Sequence, residues 1–391
     1  VSNPSSGGEP RAATAPAAVS SRDLIGLALA LCAQIALAAW TAATAINGSL
    51  TNLLVGDVVA RYVRIAPIDA PWVSEPVEFP PLGVAVIEPL AWVTERGNIL
   101  AVHMIIQGML LLILWAVVWY GWGVRGLRRL LFWTLPMLPI LLLRIDAMSL
   151  ALVAVALILA RRDRPVGTGV AIAAGVLAKV WPGVLVLTLA RRQWKAAVAG
   201  VVATGVGTLV WMALTTADAP LQVLGFRGAK GWHMESVAGT VVRLIDGGTP
   251  DLEQGAWRFG DASWVLTVAL GVVAVAIVVW ACGRIAAPER QLLVALPVVL
   301  IASPLLSVQY AAWLALPLAL AETHWDEKVT GWIVVASSFG ILWYLGDAVD
   351  GAGAGYLLLL LRNALLLVLA AQLLWRTASG PRPQVAADVI S

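Results

Sequence analysis

Charge is scarce in this chain. Of its 391 residues, 13% are Asp, Glu, Lys or Arg and 60% are hydrophobic, and the mean hydropathy is +0.86. Soluble globular domains are about one-quarter charged, so a water-soluble fold is excluded. Cysteine is nearly missing: Cys32 and Cys282 both lie in apolar stretches. Neither a disulfide framework nor a zinc site is expected, and both read as small buried thiols. There is no DxD-type pair, no His/Asp cluster at ligand spacing and no Gly-rich phosphate cradle, so no metal, cofactor or nucleic-acid partner is expected. No internal repeat is visible, which argues against the repeated halves usual in secondary transporters.

What is present is a series of long apolar runs. Leu24 to Ile46 carries no charge and at about 1.5 Å per residue can cross a hydrocarbon core of about 30 Å. Ala43-Thr-Ala45 looks like a signal-peptidase site, but the apolar run before it is longer than a signal peptide uses, so the segment reads as an anchor. The chain reads as an all-α integral membrane protein. Residues 1–22 and 377–391 are expected as disordered cytoplasmic tails.

The net charge of +3 matters less than its placement. Arg125/Arg128/Arg129, Arg161/Arg162/Arg164, Arg191/Arg192/Lys195, Arg284/Arg290 and Arg376/Arg382 lie between apolar runs, which assigns them to the cytoplasm. Acidic loops at about 47–97 and 217–262 then face outward and have enough apolar residues for short interfacial helices. Between Arg129 and Arg161 the chain must cross out and back in limbs of about 14–15 residues, shorter than a comfortable span. The turn Arg144-Ile-Asp146 is therefore expected in a protein-lined cavity. Similar short hairpins turn at Lys179-Val-Trp-Pro182 and from Ser303-Pro304 through Gln309-Tyr310, and the Gly-rich turn 351–355 separates two final spans. The count is about 12 membrane segments in a single domain over residues 23–376.

Asp57, just past the first span, is the candidate general base, because sugar transfer to a hydroxyl needs a group to take its proton. Arg144 and Lys179 at hairpin apices are candidate cations for a leaving phosphate, a role worth most where water is excluded. The bland alternatives are a loop carboxylate for Asp57, an Arg144–Asp146 ion pair, and snorkelling for Lys179. Gly231-Trp-His-Met-Glu235-Ser236 joins an aromatic face, an imidazole and a carboxylate, suited to a sugar and equally to an interfacial loop. Trp232, His233 and Glu235 are taken from it as substrate-binding candidates together with Arg61, Glu78, Asp146, Gln309 and Tyr310. Arg227 and Lys230 could meet a donor phosphate or lipid head groups. His103 and His324 receive no role, and the 19 Trp residues are mainly interface anchors.

Asp57, Phe79-Pro-Pro81, Arg144-Ile-Asp146 with Arg161-Arg162, Lys179-Val-Trp-Pro182 with Arg191-Arg192, and Gly231 to Ser236 occur in an order that resembles an actinobacterial membrane glycosyltransferase family. This family, 87-like, includes polyprenyl-phosphate-mannose-dependent α-1,2-mannosyltransferases of the GT-C superfamily. Ser303-Pro304 followed by Gln309-Tyr310 and Trp313 is similar to one branch. The resemblance implies a GT-C-type polytopic bundle in the plasma membrane with an outer-face site, an Asp base carried over to Asp57, and inversion at the sugar. It also implies a polyprenyl-phosphate-sugar donor and a glycolipid or lipoglycan acceptor among membrane lipids. The better-known mannosyltransferases carry a His pair where this chain has Gln309-Tyr310, so arabinofuranose competes with mannose as the donor sugar. A lipid-linked-sugar flippase is the alternative from another class.

Overall fold

The computed structural model describes residues 19–48, 57–74, 77–227, 230–253 and 256–380. Most of the two expected tails falls outside this set. In what is described of them, helix begins at Ser21 and continues to Ser379.

Helix α1 (Ser21–Ile46) starts at a reciprocal cap, in which the Ser20 hydroxyl accepts from the Asp23 amide and the Asp23 carboxylate accepts from Ser20. The same carboxylate pairs with Arg125 at 3.3 Å and Arg128 at 3.0 Å. Helices α2 (Pro81–Ile87) and α3 (Arg96–Thr134) follow. Inside α3, Gly123 has φ 65° and ψ −165°, a backbone state that only glycine adopts without strain. There the chain reverses. Before the break Gly97 lies beside Ile46 at the end of α1, whereas after it Arg128 meets Asp23 at the start of α1. Further along, Gln34 of α1 donates to the Leu131 carbonyl at 2.7 Å.

The returning limb continues as α4 (Leu138–Leu143), turns at Arg144, and leads into α5 (Asp146–Arg161), α6 (Pro165–Ala178), α7 (Val184–Leu189) and α8 (Trp194–Leu214). A non-spanning stretch holds α9 (Ala219–Arg227), strand β1 (Trp232–His233), α10 (Val237–Asp246), β2 (Asp251–Glu253) and β3 (Ala256–Phe259). The chain ends in α11 (Trp264–Cys282), α12 (Pro288–Ala302), α13 (Ala311–Leu320), α14 (Trp325–Trp343), α15 (Leu345–Asp350) and α16 (Gly353–Ser379). Five helical segments among the described residues are long and apolar enough to cross a membrane: Ser21–Ile46, Arg96–Leu143, Trp194–Leu214, Trp264–Cys282 and Gly353–Ser379. Their outward faces are apolar, as Leu29, Ile35, Leu209 and Val272 show, the reverse of a helix packed in a soluble protein.

One expectation needs correction, and one small element is added. The strands form a small antiparallel sheet of order β1-β3-β2, with Trp232 opposite Phe259 and Asp251 opposite Arg258. The described residues are otherwise nearly all helical, as expected of an all-α membrane chain, and strands of two to four residues show no alternation that the sequence could display. Cys32 is exposed on α1, and of the two thiols only Cys282 is buried. An apolar run does not by itself say which helix face turns inward when the surroundings are apolar too.

The two ends of the bundle differ. One gathers the arginines: Arg290 grips Glu327 through two hydrogen bonds of 2.7 and 2.6 Å, and Arg376 bridges Asp326 at 2.8 Å and Glu327 at 3.1 Å. Arg161 pairs there with Glu289, which also accepts from the Trp122 indole. The other end carries residues 57–74 and 77–92, the sheet, and the turns at 144, 179 and 303.

Candidate functional site

Three interrupted helices meet at the loop-bearing end. α4 stops at Leu143 because Arg144 is extended (φ −129°, ψ 156°), and α5 restarts at Asp146. α6 stops at Ala178 because Lys179 is extended (φ −163°, ψ 131°), and a Trp181–Gly183 turn carrying Pro182 redirects the chain. α12 stops before Ser303-Pro304, and a 3-10 turn at Val308–Tyr310 opens α13. Each break places polar groups where an unbroken helix would present apolar ones.

Asp146, fully buried, is the common point. Its Oδ1 accepts from Lys179 Nζ at 2.7 Å and from the Trp313 indole at 2.7 Å. The three breaks are thereby tied by one carboxylate oxygen. Asp146 Oδ2 has no hydrogen-bond partner among the described residues. Trp313 stacks on Trp181 (4.9 Å, 12°) and on Tyr310 (4.0 Å, 21°), Lys179 Nζ lies 5.7 Å from the Trp313 ring, and the Trp181 indole donates to Ser149. Asp146 therefore pairs with Lys179 and not with its near neighbour Arg144. At 7% exposure Lys179 does not snorkel.

The loop 231–236 closes over this centre. β1 is held by β3, the His233 amide donates to Pro304 O at 3.0 Å, and the Ser236 hydroxyl caps α10. The buried Glu235 carboxylate accepts from the Val308 amide at 2.6 Å and faces Arg362 at 3.9 Å. Burial pushes the Glu235 carboxyl above its ordinary range, opposed by Arg362, the Val308 amide and the charge of Arg144. Arg144 thus acts across the site on the loop. From α16, Arg362 and Asn363 also donate to the Glu235 carbonyl, and Asn363 reaches the Ser236 carbonyl and the Thr240 hydroxyl.

The first loop supplies the third side. A six-residue π-helical turn, Asp57–Tyr62, buries Val58 and Tyr62. Tyr62 packs on Phe79 and on the buried His103 of α3, and burial with Asp146 and Glu78 nearby holds its phenol above the ordinary range. Arg61 is ion-paired with buried Glu78 at 2.9 Å, without the alignment of a hydrogen bond. Gly83 of α2 packs so closely that a Cβ there would stand 2.7 Å from the Ala178 carbonyl and 3.4 Å from Ile145.

Arg144, Asp146, Lys179, Glu235 and Tyr310 are therefore brought together, with Arg61 and Glu78 at the loop contributing Tyr62. The backbone of Asp57 opens the π-helical turn, but its side chain, like that of Arg227, lies outside what is described. Trp232 is buried in β1, His233 Nδ1 accepts from the Glu235 amide at 3.3 Å, Gln309 is half-buried, and Lys230 is exposed beside the sheet. Sequence reasoning missed Arg362, Asn363 and the Trp181–Trp313 stack. Ionisable Arg362 within an apolar span was itself a signal.

This centre combines buried cations, a buried carboxylate and an aromatic wall, the elements needed to hold a sugar and a leaving anion. Among the described residues no group of three or more His, Cys, Asp or Glu could hold a metal ion. No curated protein matches the chain. Residues 79–307 match the model of glycosyltransferase family 87, a span that includes the Arg144, Lys179 and Glu235 segments and stops short of Asp57 and Tyr310. The chain belongs to glycosyltransferase family 87.

Proposed function

We propose that this glycosyltransferase moves a sugar, mannose in the first place, from a polyprenyl-phosphate donor to a hydroxyl of a glycolipid or cell-envelope glycan at the outer face of the plasma membrane. The observation that carries the reading is the junction of Lys179, Asp146 and Trp313 from three broken helices, with Arg144 at its edge. Asp57 takes the acceptor proton as the acceptor oxygen bonds to the anomeric carbon. The carbon–oxygen bond to the phosphate breaks with its electron pair leaving on polyprenyl phosphate, and the configuration inverts. Arg144, with Lys179 oriented by Asp146, meets that phosphate, and no strong acid is required because the leaving group is a weakly basic anion. Arg227 and Lys230 extend the cationic path toward the lipid head groups. The expected count of about 12 membrane segments belongs to this reading: the shorter apolar helices complete crossings that the five long segments leave open.

Tyr310 supports a second donor. It presents an aromatic ring stacked on Trp313 where better-known mannosyltransferases have imidazoles, so decaprenyl-phosphate-arabinofuranose competes with the mannose donor. The test is transfer by purified protein in lipid, offered labelled polyprenyl-phosphate-mannose and decaprenyl-phosphate-arabinose with mixed glycolipid acceptors, for wild type and Asp57→Asn. Transfer from one donor, lost in folded Asp57→Asn, supports donor and base together. Transfer that survives the substitution removes Asp57 as the base, and no transfer from either donor favours the flippase.

A further inference from the structure

At the arginine-rich end, on the opposite side of the bundle from the site above, a cleft of about 510 Å³ opens between the returning limb of α3 and the helices α13 and α14. Its floor is apolar, with Trp133 and Leu318 buried. Its walls are Phe132 and Trp332, whose rings stack at 6.2 Å, and Val329, all exposed toward the surroundings. At its rim stand Arg129 and Lys328, both exposed, with the indole of Trp325 beside them. Thr323 lines the cleft, with its hydroxyl turned into the protein and without a hydrogen-bond partner among the described residues.

The charges around this cleft are unevenly spent. Asp326 is held by Arg376, Glu327 by Arg290 and Arg376, and Asp23 by Arg125 and Arg128. Among the described residues neither Arg129 nor Lys328 has an ion-pair partner, and Glu322 nearby pairs with neither. Two cations without counterions thus stand over an apolar, aromatic-walled slot at the level where α14 begins. A soluble anion would satisfy the cations and leave the slot empty, while an apolar molecule would do the reverse. A phosphate joined to an acyl chain satisfies both.

We infer that this cleft is a binding site for one anionic phospholipid of the leaflet facing the arginine-rich end. Its phosphate is held between Arg129 and Lys328, and an acyl chain runs over Phe132, Val329 and Trp332. Each Lys or Arg near an anionic membrane surface is worth about fivefold in partitioning, so the pair supplies at most about thirtyfold. The inference does not depend on the transfer reaction.

The test uses the full chain in nanodiscs of phosphatidylcholine containing a minor fraction of phosphatidylglycerol, with native mass spectrometry counting the lipids retained on release. Wild type is expected to keep phosphatidylglycerol over phosphatidylcholine by at least about fivefold beyond the Arg129→Ala/Lys328→Ala variant, with Arg129→Lys/Lys328→Arg retaining the preference. In wild type, brominated phosphatidylglycerol is expected to quench tryptophan fluorescence more than brominated phosphatidylcholine, a readout independent of any variant. Equal retention of the two lipids by wild type, or an unchanged preference in the alanine variant, overturns the inference. Competition by soluble glycerol phosphate as effective as by the lipid also overturns it, since that would make the cleft a head-group site alone.

Discussion

Lys179 Nζ stands 2.7 Å from Asp146 Oδ1, and the same oxygen accepts the Trp313 indole proton, so one atom of one carboxylate holds together three helix breaks distant in sequence. Two of its three groups are charged and buried, which makes the arrangement costly to break from one side.

Lys179→Met should therefore lower stability by about 3–5 kcal/mol, because it leaves the buried Asp146 with the Trp313 indole but no cation paired with it. Adding Asp146→Asn should recover most of that loss but not sugar transfer. Thermal unfolding and transfer assays on the two variants check both halves.

The Arg362–Asn363 pair should act by holding the 231–236 loop. Asn363→Ala removes hydrogen bonds to the Glu235 and Ser236 carbonyls and to the Thr240 hydroxyl, and is expected to cost about 1–3 kcal/mol. Limited proteolysis should show the cut appearing first near Glu235, with helices far from the loop unchanged.

Glu235 gives a pH dependence with a definite sign. Burial raises its folded value above the ordinary 4.5, so its favourable contribution is complete below 4.5 and is lost as pH rises through the folded value. Glu235→Gln should thus gain stability relative to wild type as pH rises above 4.5, measured as the difference in unfolding midpoint at each pH.

Two glycines separate packing from backbone strain. Gly83→Ala places a methyl 2.7 Å from the Ala178 carbonyl, next to Lys179, and should reduce transfer as well as stability. Gly123→Ala meets nothing within 4 Å, so its expected cost of about 1–3 kcal/mol comes from the backbone alone. Gly108→Ala, in open space inside α3, is the control and should be neutral or slightly stabilising.

The apices at Arg144, Lys179 and Ser303 were legible because a charge, or a Ser-Pro pair, inside an apolar run has to be accounted for by a turn or a partner. Their partners were not legible. Asp146 could be paired with Arg144 on local spacing alone, and only the approach of α6 to α5 selects Lys179. The sheet escaped because its strands are too short to show a period and are held by Arg258 donating to Gly231 O and by the loop above the site. Arg362 and Asn363 stand out as polar groups inside an apolar span, but the span alone does not show which loop they hold.

Gly123 reverses α3 within a single residue, and the arginines that follow it are fastened to the first turn of α1. A bend that short has no slack, so α1 and the two limbs of α3 behave as one stiff strut. That strut fixes the spacing between the arginine-rich end of the bundle, where Arg128 meets Asp23, and the loop-bearing end, where Gly97 lies beside Ile46.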